Sequence, residues 1–472
     1  MFRVWCATPA PRSDIISAYA VNHIKMKKVK KYFLLFAFAA VTVLSSCNAS
    51  LPGGRHNVTT SRPAQTDSPP ETSGSPSKII ITPSETGKPG SYSGYTFRVL
   101  EKAGADRPLT VESDALQRTL GATVTVYTSA TPADDLSAAM LSGGEAPDAM
   151  LLPLNELSSL FRSGYLENLA ALGISPLSDG FQYSPAASLA VTGRYYIAFG
   201  DISPDSILSV HALKCDIPAT LSNEIHAIFG KDIRDAALAG EFTTENLMRA
   251  LKDSELITSS TSKDTVLLVA DDDEDRAALA LLSAAGGALI DLSTDAAGLL
   301  TGSAEFSSAY LNASNIYTYA ADDGSSVFSV EKFGRTDDEH CYLPLPKADA
   351  GEGYRCLADP EGTYGWAVPL GVEHGKRTAD ITTALFAASV NTADSYFSTL
   401  TEDETGKKLA RLIFASRVYS ISDLYDWGGL SSDVSGGIRS GKTAAALLED
   451  SKYAQKSEAA LAAIKIFTDR LR

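Results

Sequence analysis

The chain has 472 residues, 44% of them hydrophobic and 21% charged, with a formal net charge of −16. An acidic surface argues against nucleic acid and against a polybasic membrane patch. Globular composition begins at Tyr95, and the length from there to Arg472 is enough for two domains.

The N-terminal segment indicates export. Residues 1–25 form neither a signal nor a domain, and we interpret them as an upstream extension. Residues 26–46 run from four lysines through a short apolar stretch to small residues, which is the order of a secretory signal peptide. The apolar stretch is shorter than the ~20 residues that a spanning helix needs.

Cys47 follows the small residues Ser45 and Ser46 and resembles the lipidated cysteine of a bacterial lipobox. The resemblance implies that Cys47 becomes the first residue of the mature protein and anchors it on the outer face of the cell membrane. Two or three acyl chains would hold firmly, because each buried CH₂ contributes ~0.8 kcal/mol. The alternative is an ordinary signal peptide followed by a chance cysteine.

Residues 47–94 are dominated by Ser, Thr, Pro and Gly. Such a segment cannot bury enough apolar surface to offset its ordering entropy, so we expect a disordered tether. Only three cysteines follow, which is not a disulfide framework. Cys341 and Cys356 either form a disulfide or stay free thiols, and the sequence leaves both open.

From residue 95 onward, predicted strands alternate with predicted helices that begin at caps and end at glycines. This order predicts an α/β fold with a largely parallel sheet. The expected strands are 95–100, 122–129, 148–153, 194–203, 264–270 and 364–370, and the expected helices are 112–121, 133–144, 154–166, 243–254 and 378–390. Residues 276–290 are expected to form a helix, a glycine break and then a strand, and the C-terminal third is expected to be mostly helical.

Residues 436–443, GGIRSGKT, match the P-loop pattern G-x-x-x-x-G-K-[ST]. A P-loop needs a buried strand before it and a helix after it, so that backbone N–H groups face the phosphates. The preceding residues are not strand-like, and no later strand offers an aspartate for magnesium. We therefore expect no nucleotide and no cofactor, with Lys442 on a helix face.

Other catalytic and metal-binding patterns are missing from the sequence. No histidine lies in H-E-x-x-H or a Cys/His ligand spacing, and there is no G-x-S-x-G. The acidic run at 271–275 lacks the glycine and spaced ligands of a calcium loop, and we interpret it as a solvated helix start. We expect no metal and no enzyme, although composition does not exclude a glycosidase carboxylate pair.

Two segments, 342–356 and 364–370, and a set of single residues match a known sequence pattern. The single residues are Gly144, Pro147, Asp148, Gly164, Leu166, Leu169, Gly193, Tyr196, Asp201, Ser203, Ile413, Phe414, Ser416, Arg417, Val418, Tyr419, Tyr425, Trp427 and Gly428. These segments resemble the extracellular solute-binding lipoproteins of ABC importers, in particular the carbohydrate-type family 1 and a clostridial-type subgroup. The sequence departs from the pattern at Arg194, at Phe199 and at residues 420–422.

The resemblance implies a two-lobe, periplasmic-binding-protein-like (type II) α/β fold with hinge crossovers. Lobe 1 would comprise 95–200 plus 343–400, and lobe 2 would comprise 201–342 plus 401–472. The implied function is capture of a mono- or oligosaccharide between the lobes and delivery to ABC permease subunits, without covalent chemistry. The alternative is a diverged surface protein that acts as a sensor or adhesin with a non-sugar ligand.

Sugar binding needs aromatic platforms for the ring faces and fixed polar groups for the hydroxyls. Trp427 is the first candidate platform, with simple core packing as its alternative. Trp366 is a second candidate, but its strand could equally bury it as core. The remaining candidates are Asp201 as a hydroxyl acceptor, Tyr196 on the first crossover strand, and Tyr425 and Asp426 beside Trp427.

Overall fold

A computed structural model describes most of the chain from Gly90 onward. The predicted signal peptide, Cys47 and the predicted tether up to residue 89 lie outside the described residues. Tyr92 donates its backbone N–H to Leu120 O at 2.8 Å, so residues 90–94, expected to belong to the tether, are part of the folded body. The described ranges are 90–104, 109–216, 222–261, 266–270, 274–294, 297–319, 326–336, 340–401, 403–425, 427 and 429–471.

The first sheet is mainly parallel and covered on both faces. Its strand order is β11-β3-β1-β2, with β1 parallel to β2 and β3, and β11 antiparallel to β3. The apolar run 149–152 is fully buried, as expected for a parallel strand between two helical layers. Its elements are β1 (Thr96–Lys102), α1 (Thr110–Leu120), β2 (Thr123–Ser129), α2 (Pro132–Ser142), β3 (Ala149–Pro153), α3 (Leu154–Arg162), α4 (Leu169–Leu172) and α5 (Tyr183–Ser188), with β11 (Tyr364–Ala367) returning later.

The second sheet is mixed rather than parallel. In the order β5-β8-β4-β9, only β5 and β8 are parallel, because β4 runs antiparallel to both of its neighbours. Strands β4, β8 and β9 were not among the predicted elements. The elements are β4 (His211–Cys215), α6 (Ser222–Phe229), α7 (Ile233–Leu238), α8 (Thr244–Thr261), β5 (Val266–Ala270), α9 (Glu274–Ala284), β6 (Ile290–Asp291), β7 (Gly298–Leu299), α10 (Ala304–Tyr317), β8 (Ser326–Lys332) and β9 (Cys341–Leu343).

The predicted strand at 194–203 is wrong. Ala198 exchanges two backbone hydrogen bonds with Trp366, but three residues later Asp201 bonds to Gly180 instead. A segment that changes partner so quickly cannot extend a ladder, and only isolated bridges form. It leads into a 3₁₀ turn at Pro204–Ser209 and so carries the chain from the first sheet to the second.

The C-terminal part is helical, as predicted, and α11 continues ten residues beyond the predicted end at 390. Helix α11 packs on α1 of the first sheet, and α12 packs on β9 of the second. The chain therefore crosses between the sheets three times; the predicted lobe boundaries stay predictions. The elements are β10 (Cys356–Leu357), α11 (Gly375–Leu400), α12 (Glu404–Ala415), β12 (Arg417–Val418), α13 (Ile421–Tyr425), α14 (Leu430–Arg439), α15 (Ala444–Leu448) and α16 (Ser451–Leu471).

The P-loop pattern does not have P-loop geometry. Residues 436–439 are the last turn of α14. Thr443 caps α15, and Lys442 forms an ion pair with Asp450 at 3.0 Å. Glycines inside a helix cannot point successive N–H groups at a phosphate, because those groups are bonded within the helix.

Within the described ranges, no helix combines the length and the apolar character needed to cross a membrane.

Candidate functional site

The carboxyl ends of the parallel strands in both sheets converge on one crevice. In open α/β sheets, ligands bind outside these ends. In the first sheet, Leu154, directly after β3, donates its backbone N–H to Thr363 O at 2.9 Å. Thr363 Oγ1 lies 2.7 Å from Ser209 Oγ, and the adjacent Val210 accepts from Phe333 N, directly after β8, at 2.8 Å. These contacts join the two edges.

Four charged side chains form an ion-pair network at the edge of the second sheet. Asp359 is 9% exposed and pairs with Arg276 Nε at 3.1 Å and with Lys332 Nζ at 2.7 Å. Arg276 also pairs with Asp423, which is 7% exposed. Two cations and two anions therefore balance, which lets these groups stay charged while partly buried.

His211 begins β4 beside this network. Burial lowers the pKa of the His211 imidazole. Asp359 raises this pKa, whereas the positive charges of Arg276 and Lys332 lower it further, and the net shift is downward. Its Nδ1 lies 3.3 Å from Leu357 O. The imidazole is therefore neutral at pH 7 and donates or accepts without adding charge to the crevice.

The edge of the first sheet contributes polar groups of its own. Lys102, at the end of β1, forms an ion pair with Glu156 in the first turn of α3. The neighbouring Asn155 is exposed. Helix α13, which carries Asp423, packs against α3. An ammonium, a carboxylate and an amide thus lie on the first-sheet side of the crevice.

A cavity of about 260 Å³ opens at the crevice. It includes residues 275–276, which follow β5, and so belongs to the carboxyl edge of the second sheet. Its lining combines carboxylates, a guanidinium and four hydroxyls, a surface that suits a ligand with many hydroxyl groups. The lining residues are Asp275, Arg276, Leu279, Ser422, Asp423, Gly429, Ser431, Ser432 and Ser435.

A larger cavity of about 840 Å³ lies on another side of Ser422. Residues 183–190, 282–293, 352–357 and 418–422 supply most of its lining. Tyr419 and Ser420 of its lining follow β12, which is parallel to β10 in a separate two-stranded sheet. None of its lining residues comes from the loops at the carboxyl ends of the parallel strands in the two four-stranded sheets. Volume alone favours this cavity, but the topology favours the smaller one, and we take the topology as the stronger argument.

Trp366 is a core residue. It is 0% exposed, lies parallel to Phe97 with ring centroids 6.3 Å apart, and meets Phe386 edge to face at 5.8 Å. The candidate role as a sugar platform is therefore corrected to core packing. The reason is that β11, the edge strand of the first sheet, pairs with β3 and turns Trp366 toward Phe97 and Phe386 on a covered face of that sheet.

Asp201 does not face the crevice. It is 4% exposed, accepts from Arg411 Nη1 at 3.0 Å and from Gln182 Nε2 at 3.1 Å, and Arg411 also pairs with Asp394. Burial raises the pKa of Asp201, whereas Arg411 and Gln182 lower it, and the net shift is upward. Asp394 lies on α11 and Arg411 on α12, so Asp201 belongs to a cluster at the third crossing rather than to a ligand site.

Tyr196 and Tyr425 are 9% and 7% exposed and belong to one aromatic cluster. Tyr196 packs on Phe161 at 4.7 Å, and Tyr425 packs on Phe467 at 5.4 Å. Burial raises the pKa of Tyr425. Both rings therefore pack within the aromatic cluster rather than standing out as sugar platforms.

Trp427 is the indole of the folded body that remains partly exposed. It packs on Tyr425 at 5.0 Å and on Phe467 at 5.5 Å, and it is half-buried. It follows α13, the helix that carries Asp423. Among the aromatic candidates from the sequence, Trp427 is thus the one that is not classed as buried, while Asp426 lies outside the described residues.

Sequence reasoning missed the charged network. Lys332 ends a strand that was not predicted, and Asp359 lies in a turn far from Arg276 along the chain. A signal did exist at one position, because ADPEG at 358–362 is a turn sequence between two strand-like segments. Nothing in the sequence indicates that this turn meets the end of β8.

Comparisons with known proteins identify the fold. No family model matches the chain, and no curated protein matches it. Among solved structures, the sugar-binding protein MalE from the phytopathogen Xanthomonas citri matches with a TM-score of 0.50 and 14% identity, over 79% of this chain and 99% of that one. An uncharacterised protein from Listeria monocytogenes matches with a TM-score of 0.50 and 13% identity, over 78% and 100%.

These similarities define a class of structure. The two-lobe, periplasmic-binding-protein-like (type II) fold expected from the sequence is confirmed. At this level of identity the likeness concerns the fold, and the ligand has to be argued from the chain's own residues.

Proposed function

We propose that the protein is a non-enzymatic solute-binding protein that holds a carbohydrate in the crevice between its two lobes. The observation that carries the proposal is the crevice itself, where the carboxyl edges of both sheets meet around paired carboxylates, cations and serine hydroxyls. A sugar presents adjacent hydroxyls that both donate and accept hydrogen bonds, and a lining of carboxylates, cations and hydroxyls offers partners for both roles. The fold is shared with a protein described as sugar-binding, which supports this ligand class.

Trp427 supplies the apolar part of the proposed site. Sugar ring faces stack on aromatic rings, and Trp427 combines an exposed part with a rigid backing by Tyr425 and Phe467. Asp423 lies four residues earlier along the chain. We place the sugar edge against Asp423 and Arg276 and its ring face against Trp427.

The proposal extends to transport. The order of lysines, apolar stretch and Cys47 supports an extracellular lipoprotein on the outer face of the cell membrane. Closure of the lobes on the ligand would create the surface that docks on ABC permease subunits. ATP would be consumed by separate chains, in keeping with the helical geometry of residues 436–439.

A second candidate is a surface sensor or adhesin with a non-sugar ligand. The four charges at the crevice favour this candidate, because a charged group of the solute can take the place of one member of an ion pair. A carbohydrate panel that gives no response would favour this candidate.

The test is thermal unfolding of residues 90–472 with a panel of mono- and oligosaccharides, and with ATP–Mg as a control. A ligand at 100 times its Kd adds ~2.7 kcal/mol, which is a shift of several degrees at this size. We expect a shift with one glycan class. A shift of the unfolding temperature with ATP alone, or the absence of a shift with every glycan, would contradict the proposal.

Two variants locate the ligand. Asp423→Ala is expected to abolish the shift if the ligand occupies the crevice at the carboxyl edges. Tyr183→Ala, which alters an exposed residue of the larger cavity, is expected to leave it unchanged. Loss of the shift in Tyr183→Ala, with the shift retained in Asp423→Ala, would assign the ligand to the larger cavity and contradict our assignment.

A further inference from the structure

A pair of cysteines lies at the end of the second sheet away from the crevice. Strands β4 and β9 are antiparallel neighbours, and their register places Cys215 directly opposite Cys341. The crevice end of β4 is His211, which lies opposite Lys332. All three cysteines of the described ranges are free thiols.

Directly opposed residues have the geometry that a disulfide needs. They point to the same face of the sheet, with Cα atoms ~4.5–5.5 Å apart, and disulfides span ~4.4–6.8 Å. The third cysteine, Cys356, has Arg417 as its register partner in a separate two-stranded sheet. Of the two alternatives that the sequence left open for Cys341 and Cys356, the structure shows free thiols, and the register partner of Cys341 is Cys215.

The two thiols differ in accessibility and acidity. Cys215 is buried, and burial raises its pKa well above the ordinary value. Cys341 is partly exposed, and the hydrogen bond with Cys215 and the charge of Arg234 lower its pKa despite burial. Arg234 is held in place by Asp403 at 2.6 Å, at the start of α12. The more accessible sulfur is thus also the readier thiolate.

We propose that Cys215 and Cys341 form a reversible cross-strand disulfide, which makes this sheet edge a redox modification site for small-molecule disulfides. The Cys341 thiolate attacks one sulfur of oxidised glutathione, forms a mixed disulfide and expels one glutathione thiolate. Cys215 loses its proton, attacks the Cys341 sulfur and expels the second glutathione. The protein gives up two electrons and two protons, and the oxidant becomes two thiols.

The bond would stabilise the second lobe. It ties the edge strand β9 to β4 across a long stretch of chain, and closing a long loop removes much unfolded-state entropy. Strand β9 leads directly into the second crossing between the sheets, so the bond also fixes where that crossing begins. The oxidised protein is therefore expected to unfold at a temperature several degrees higher than the reduced protein.

The experiment uses the full chain with Cys6 and Cys47 replaced by serine. The folded protein is incubated with oxidised glutathione, its free thiols are alkylated, and it is digested with trypsin. Cleavage after lysine and arginine separates the three cysteines into peptides 215–231, 336–347 and 356–376. We expect most of the first two peptides to appear cross-linked, and the third to appear alkylated.

Two variants complete the test. Cys356→Ser is expected to leave both the cross-link and the thermal shift intact. In the Cys215→Ser variant, the reaction is expected to stop at a glutathione adduct on Cys341, and the rise of the unfolding temperature should be absent. A cross-link between 336–347 and 356–376, or an adduct on Cys341 that persists while Cys215 is present, would overturn the proposal. Neither readout depends on the solute.

Discussion

Trp366 and Trp427 show how the surroundings of a single residue decide its role. The sequence makes both of them candidate sugar platforms, because each is an aromatic residue in a segment that resembles the solute-binding lipoproteins. In the structure Trp366 lies between Phe97 and Phe386 inside the first sheet's core. Trp427 keeps exposed surface beside the helix that carries Asp423.

Trp366→Ala is expected to lower the free energy of unfolding by ~3–5 kcal/mol, because a large buried ring leaves a cavity. It should leave ligand affinity in the folded protein unchanged. Trp427→Ala should cost less stability and weaken sugar binding. Urea unfolding and calorimetric titration measure the two effects, and equal losses of affinity in both variants would contradict these assignments.

His211 gives the protein a pH-dependent stability. Its pKa is lower in the folded state than in the unfolded chain, where it is ~6.5, so the unfolded state binds the proton more readily. The stability that neutral His211 contributes is present above this value and is lost as the pH falls below it. Unfolding by urea between about pH 7.5 and pH 5 measures the slope.

His211→Gln should flatten this part of the pH profile. The exposed His374→Gln is the matched control and should leave the slope unchanged. The two variants share all other charged groups, including Asp359, Arg276 and Lys332 beside His211. The contribution of those groups to the pH dependence is therefore the same in both. A slope that persists in His211→Gln would rule out this origin.

At the scale of elements, Gly200 and Gly436 differ in how much space the neighbouring chain leaves for a side chain. A Cβ at Gly200 would lie 2.1 Å from Gly180 O and 2.7 Å from the Phe386 ring, where the first crossover passes the chain. A Cβ at Gly436, in the last turns of α14, would meet nothing within 4 Å. One glycine permits a close approach, and the other only weakens a helix.

Gly200→Ala is therefore expected to destabilise the protein by ~1–3 kcal/mol, since backbone atoms must move. Gly436→Ala should stabilise it by up to ~1 kcal/mol, because alanine is the better helix former. Thermal unfolding of both variants checks the pair. A loss of stability in Gly436→Ala would show that residues 436–439 are not helical and would reopen the P-loop interpretation.

At the scale of the whole molecule, the two sheets share one hydrophobic core. Leu100 and Met150 of the first sheet belong to the same buried cluster as Leu213 and Phe328 of the second. The charged cluster of Asp201 with α11 and α12 also spans the crossing between the lobes. The lobes are thus joined by packing as well as by chain connections.

We expect the lobes to unfold in one cooperative transition. Tryptophan fluorescence of residues 90–472, dominated by Trp366 and Trp427, should coincide with far-ultraviolet circular dichroism, which reports all helices. Coincident transitions are the signature of a two-state process. Two separated midpoints would mean that the lobes are energetically independent.

Sequence patterns located the strands of the first sheet and the helices α1, α2, α3, α8, α9 and α11, because each of those segments carries its own periodicity, cap or glycine stop. Helices α4 to α7 and α10 were missed. The strands of the second sheet were missed where they are short or mixed in polarity, as in SVFSVEK at 326–332. The role of Trp427 in ligand binding stays a prediction. Trp427 kept exposed surface, whereas Trp366, Tyr196, Tyr425 and Asp201 proved to be buried.

The sequence by itself determined the α/β alternation, since this depends on local composition and on the order of segments. Its resemblance to a known family predicted the two-lobe fold, and the export leader stays a prediction. Only the tertiary structure decided which side chains meet at the crevice. Arg276, Lys332 and Asp359 become neighbours because the end of β8 contacts the turn before β11. Likewise, Cys215 faces Cys341 because two strands pair in one register. Burial and long-range pairing are properties of the packed chain, and no single segment contains them.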